Sequence, residues 1–176
     1  MRRVEQNATT LRSQAQVDSL SRFDPLQAHK QLQFVLAKPE EVLELIQTRD
    51  QDFLQTWSGA AEELPNKKLF VMLNPTQTIE RRRVTLLEEL AHRHYGHKPV
   101  SFTARFVYKY NKPQEDEAYQ TAAAVLLPMK VVSQSVRCGK SAEQIAAEYG
   151  CSRELVEMRI KLLHLWSEYR KRCTMS

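Results

Sequence analysis

The sequence predicts an α+β protein, with a short sheet and accompanying helices followed by a helical C-terminal part, and three observations predict it. Phe34–Ala37 and Leu69–Leu73 are short apolar runs of strand type, and residues 102–110 alternate apolar and polar with period two. Between and after them lie stretches with helical signals, above all Val84–His97, where Leu86, Leu87, Leu90 and Ala91 recur at the spacing of one helix face. From Ser141 to Arg172 every signal is helical.

The chain has 176 residues, which suits one domain or one domain with a small appendage and is long enough to bury a core without staples. With 42% hydrophobic and 27% charged residues, its composition is that of an ordinary globular protein. The three cysteines, Cys138, Cys151 and Cys173, are scattered and show no C-x-x-C spacing. A disulfide framework or a cysteine-zinc site is therefore not expected, and a reducing, cytoplasmic setting is. Arg2 and Arg3 are followed by no apolar run of signal-peptide type, and no stretch reaches transmembrane length, so no membrane partner is expected. The net charge is +5, densest at Arg81–Arg83 and Arg170–Arg172. Clusters this short are usually solvated faces, which argues against a dedicated nucleic-acid binder.

In chain order, Met1 to about Ser21 reads as a polar leader, frayed or an isolated helix. Asp24 followed by Pro25 is a helix start, predicting a helix to about Gln33. Pro39 opens another through Ile46, and residues 50–68 are mixed, with turns at Trp57–Gly59 and Leu64–Asn66. Asn74–Thr76 ends the second strand, and Thr78 is placed to cap the central helix, which Gly96 and Pro99 stop. Gln114–Glu117 begins an Ala-rich helix with acids in its first turn, favourable at the positive end of the dipole. Pro128 interrupts it, and Met129–Cys138 resumes as a helix ended by Gly139. Ser141 to Gln144 fits a capping box. The following segment, Ile145–Tyr149, Gly150–Ser152 and Leu155–Ile160, has the look of a helix–turn–helix.

The chemistry concentrates on the central helix. Glu88 and His92 are four apart and stack on one face, with Glu89 about 100° round the helix. This is the layout of H-E-x-x-H, in which residues i and i+4 hold a metal and the glutamate between them handles protons; here Glu88 occupies the first ligand position. Glutamate is a legitimate zinc ligand, and the added negative charge makes harder ions such as manganese more competitive. The plain alternative is a mild Glu88–His92 pair on a solvated face.

A second segment, Glu117-Ala-Tyr-Gln-Thr-Ala-Ala-Ala-Val-Leu-Leu-Pro128, adds to this. Together the two segments resemble the ImmA/IrrE family of metallopeptidases, which pairs an H-E-x-x-H helix ending in Gly-His with a later E-A-N-x-F-A-A-x-L-L-x-P helix. Glu117-Ala118, Ala122-Ala123, Leu126-Leu127-Pro128 and Gly96-His97 fall on the matching positions, while Tyr119 and Thr121 depart from the usual Asn and Phe. The resemblance spans roughly residues 22–165. It implies a zincin-like domain at 22–138, after the 1–21 leader, and a helical subdomain at 139–176.

It also implies metal ligands His92 and Glu117, with Glu88 in the first-ligand position, and Glu89 as general base. Zinc would be the metal, with manganese as the alternative. The implied activity is endopeptidase cleavage of a helix–turn–helix repressor, releasing genes of mobile elements or stress response. His97 matches a family position and receives no catalytic role, and His94 reads as a rim residue. The alternative reading is an inactive family member that binds a repressor or DNA. The second helix of the helix–turn–helix-like segment offers only Arg153, Arg159 and Lys161 as cations, against Glu154 and Glu157.

Overall fold

The computed structural model describes residues 1–47, 57–97 and 111–173. The expected strand at 102–110 lies outside them. The described residues are mixed α+β, as predicted, with eight α-helices and one three-stranded sheet. They form two compact units: residues 25–119, and residues 1–24 together with 120–176.

The first unit holds β1 (Phe34–Leu36), α2 (Pro39–Gln47), β2 (Gly59–Glu63), β3 (Leu69–Leu73), α3 (Ile79–Tyr95) and the start of α4 (Lys112–Leu126). Strand order is β1-β3-β2, with β1 parallel and β2 antiparallel to β3. The helix predicted from Pro25 to Gln33 is only a single 3-10 turn, Pro25–Gln27. Gln33 takes φ +54°, a left-handed conformation that cannot continue a helix and instead turns the chain into β1. The sequence reading also missed β2. Its Gly-Ala-Ala-Glu-Glu carries no strand propensity, and the hairpin is made by its partner and by the turn at Leu64–Lys68.

Val42, Trp57 and Ala60 pack together in one cluster, joined by Ala37 and Met72. The loop after β3 is fastened by Asn74, fully buried. Its amide donates to the Trp57 carbonyl at 2.8 Å, and its Oδ1 accepts from the backbone N–H and hydroxyl of Thr76. α3 then packs on β2 and β3, and the predicted stripe of Leu86, Leu87, Leu90 and Ala91 is buried.

The second unit is helical: α1 (Arg2–Gln14), the rest of α4, α5 (Met129–Arg137), α6 (Ala142–Tyr149), α7 (Arg153–Leu162) and α8 (Trp166–Cys173). α1 buries Val4, Ala8 and Leu11. Two arginines are buried with it. Arg12 donates to the carbonyls of Val125 (2.6 Å), Ser21 (2.5 Å) and Asp18. Arg159, 1% exposed, donates to the Leu127 carbonyl and pairs with Glu5 at 2.6 Å. The capping box at Ser141, the left-handed Gly150 and the Ser152 cap form as predicted. Of the cations of α7, Arg159 is internal, Arg153 pairs with Glu143 and Glu157, and Lys161 lies over the Trp166 ring.

Two outcomes follow. A Cβ at Gly59 would sit 2.6 Å from Thr85 Cγ2, so Gly59→Ala is expected to destabilise by about 1–3 kcal/mol in chemical denaturation. Thr85→Ser, which deletes that methyl, should recover part of the loss; equal stability of the single and double variants would refute the clash. Glu5→Ala leaves the internal Arg159 without its counter-charge and should cost about 2–4 kcal/mol by the same assay, somewhat less than for a fully buried pair because Glu5 keeps some solvent contact.

Candidate functional site

The helix that carries the candidate residues is fixed at both ends. Thr78 caps it, its hydroxyl accepting from the Arg81 N–H, and Gly96 ends it at φ +69°. Among the described residues nothing crowds Gly96, and its positive φ is a backbone conformation that glycine suits. The left-handed turn folds the chain back and brings His97 over the last turn, its N–H donating to the His92 carbonyl at 2.9 Å.

There the two imidazoles meet. His92 Nδ1 and His97 Nδ1 are 2.9 Å apart, so one ring donates and the other accepts. The outer nitrogens face acids from the first turns of α4: His92 Nε2 lies 3.4 Å from Glu115, and His97 Nε2 lies 3.8 Å from Glu117. His97 is further held by stacking on Tyr95, with ring centroids 5.3 Å apart and planes 18° from parallel. The result is a row of four groups, Glu115, His92, His97 and Glu117, across two helices.

Glu88 sits one turn before His92, largely withdrawn from solvent. Burial is the main cause of a carboxyl held above its usual range; Glu89 and Glu115 add to this, and Arg81 and His92 oppose it. For His92, burial lowers the imidazole, but the hydrogen bond and charge of Glu115, followed by Glu89 and Glu88, outweigh it and hold the ring above its ordinary range. His94 moves the other way, lowered by burial and by Arg93.

Glu88, Glu89 and His92 thus share one electrostatic neighbourhood on α3. Glu117 comes to His97, and Glu115 stands beside His92. Sequence reasoning gave Glu115 and His97 no part. The signals were present in the Gly-His that ends α3 and in the acidic run Glu115–Glu117, but only the turn at Gly96 joins them.

These donors suit a divalent ion in kind. Several carboxylates crowd one imidazole where water is partly excluded, and a cation would relieve that repulsion. Glu88, His92 and Glu117 are the candidate ligands. Among the described residues, no three such side chains stand close enough together to grip one ion, and His92 turns both nitrogens to neighbours.

Residues 41–161 match the family model described as the IrrE N-terminal-like domain, a peptidase family, and the chain belongs to that family. It is therefore a metallopeptidase-like protein in class. One solved structure, described as a Mycobacterium tuberculosis transcriptional regulator, is similar with a TM-score of 0.56 and 13% identity. The similarity covers 89% of this chain and 45% of that one, so this chain spans less than half of its length, and the likeness is one of fold. No curated protein matches. Among the described residues, no helix is long and apolar enough to cross a membrane.

Gly96→Ala is expected to lower stability by roughly 1 kcal/mol, the cost of placing a Cβ in the left-handed region. Gly96→Asn should lose less, and equal losses in urea denaturation would show that backbone conformation is not what the position requires.

Proposed function

We propose that this protein is a metal-dependent endopeptidase whose substrate is a helix–turn–helix repressor, and that its action releases genes of mobile elements or stress response. The observation that carries the reading is the shared neighbourhood of Glu88, Glu89 and His92 on α3, in a chain of a peptidase family. Glu88, His92 and Glu117 would hold the metal, zinc or manganese. Bound there, the metal would supply Lewis-acid polarisation and a more acidic water.

The chain's own residues have separate tasks. Glu89, one step round the helix from the ligand face, takes the proton of the attacking water and returns it to the leaving amine. With one ring nitrogen of His92 given to the metal, the neighbour at the other, Glu115 or His97, orients the ring, as the partner of a ligand imidazole does. Tyr95 holds His97 in place by stacking.

One observation favours a second reading, a non-catalytic family member that binds a repressor. His92 is engaged at both nitrogens in the described arrangement, and the first ligand position carries Glu88. Elemental analysis of tag-free protein separates the two. Near-stoichiometric metal in the wild type, lost in His92→Ala and in Glu117→Ala, is the expected result. No metal after incubation with zinc and manganese would overturn the peptidase and leave the binding protein. In the metal-loaded enzyme, Glu89→Gln should keep the metal and lose at least about a hundredfold in cleavage rate, as expected for loss of a general base. Full activity in that variant would remove Glu89 from the mechanism.

A further inference from the structure

The sheet offers a second surface, along β1. Among the described residues β1 pairs only with β3, and its other side is an edge of the sheet that they form. Two bonds bracket the parallel ladder: the Leu69 N–H donates to the Gln33 carbonyl, and the Ala37 N–H to the Val71 carbonyl. Odd-numbered residues of β1 therefore face β3, and Phe34 and Leu36 turn their backbone groups outward. The Phe34 N–H is used within the preceding turn, donating to the His29 carbonyl at 3.1 Å. The Leu36 N–H and the carbonyls of Phe34 and Leu36 remain toward the edge.

Alongside this edge lies a cleft of about 460 Å³ with an apolar floor of Leu26, Phe34, Val35 and Leu36. Val35 is 40% exposed, although it is a large apolar residue in a strand. His29, Lys30 and Lys68 complete the lining, and both lysines are exposed. Among the described residues neither ammonium has an ion-pair partner, whereas the adjacent Lys67 pairs with Glu63 and Lys38 with Glu41. The turn before β1 is also held from behind: Arg93 of α3 donates to the carbonyls of Leu32 (2.5 Å) and Gln33 (3.0 Å).

The geometry points to a docking site for an extended acidic segment of a partner protein, added to β1 as a further strand with apolar side chains in the cleft and carboxylates on Lys30 and Lys68. Main-chain bonding to an open edge supplies affinity with little sequence demand, and the unpaired lysines supply the preference for acid. An edge of this kind beside an apolar cleft is otherwise a liability for self-association, which charged side chains, lysine especially, normally suppress. Here the charges are of one sign and unpaired, which repels a second copy and attracts an anionic strand. The inference goes beyond the peptidase reading and requires neither metal nor catalysis.

The test is fluorescence anisotropy on the full chain without added metal, with a labelled heptapeptide alternating glutamate and valine as probe. Binding should weaken in high salt and fall at least about tenfold in the exposed-site variant Lys30→Glu/Lys68→Glu, with an unchanged melting curve. The same variant should gain affinity for the lysine–valine analogue. On wild-type protein, a probe N-methylated on the amides that face the sheet should bind at least about tenfold more weakly, since it cannot donate to the edge. Equal affinity for acidic and basic probes, no binding of the acidic probe, or no effect of N-methylation would overturn the site. So would a dimer abolished by Lys30→Glu/Lys68→Glu, which would give the edge to a second copy.

Discussion

Between Gly59 and Thr85 there is no room for one more methyl group, and this close approach sets how α3 lies on the β2–β3 hairpin. A helix that close to a sheet is held in both spacing and rotation. With the rotation fixed, Leu86, Leu87, Leu90 and Ala91 must point inward. Glu88, Glu89 and His92 are then carried to the margin, where they are partly desolvated without being sealed off. The position of the chemistry is thus a consequence of packing on the opposite side of the same helix.

At that margin the electrostatics are uneven. Glu115 and Glu117 of α4 face His92 and His97, while Glu88 and Glu89 act on His92 from its own helix. Opposite influences act on adjacent residues of one helix: His92 is drawn toward its charged form and His94 away from it. Such divergence within three residues reflects which face of the helix meets acids and which meets Arg93.

Much of the fold was legible where local chemistry decides it. Thr78 and Gly96 bracket α3, Ser141 and Gln144 cap α6, and Gly150 and Ser152 make the turn before α7, all from side chains acting on their own neighbourhood. β2 was illegible because its residues are strand-forming only by virtue of their partner, and the helix at Pro25 failed because Gln33 had to turn the chain into the sheet. In the candidate site, the i, i+4 relation of Glu88 and His92 could be read directly. The meeting of His92 with His97, and of each ring with its own acid on α4, depends on a loop conformation and on docking between helices, which spacing does not encode. Arg159 shows the same limit: in sequence it is one of the few cations of a helix–turn–helix-like segment, and in the fold it is an internal strut.

The partners of α1 have a bearing on the order of assembly. Arg12 reaches Val125 across 113 positions of sequence, and Glu5 reaches Arg159 across 154. The unit at 25–119 lies wholly within that interval and is built from closer contacts. During synthesis the first helix leaves the ribosome long before the residues that complete it exist. The inserted unit has all its strands and α3 available earlier. The apolar face of α1 thus depends on partners far along the sequence, and its unit is closed by contacts that cost more loop entropy than those inside residues 25–119.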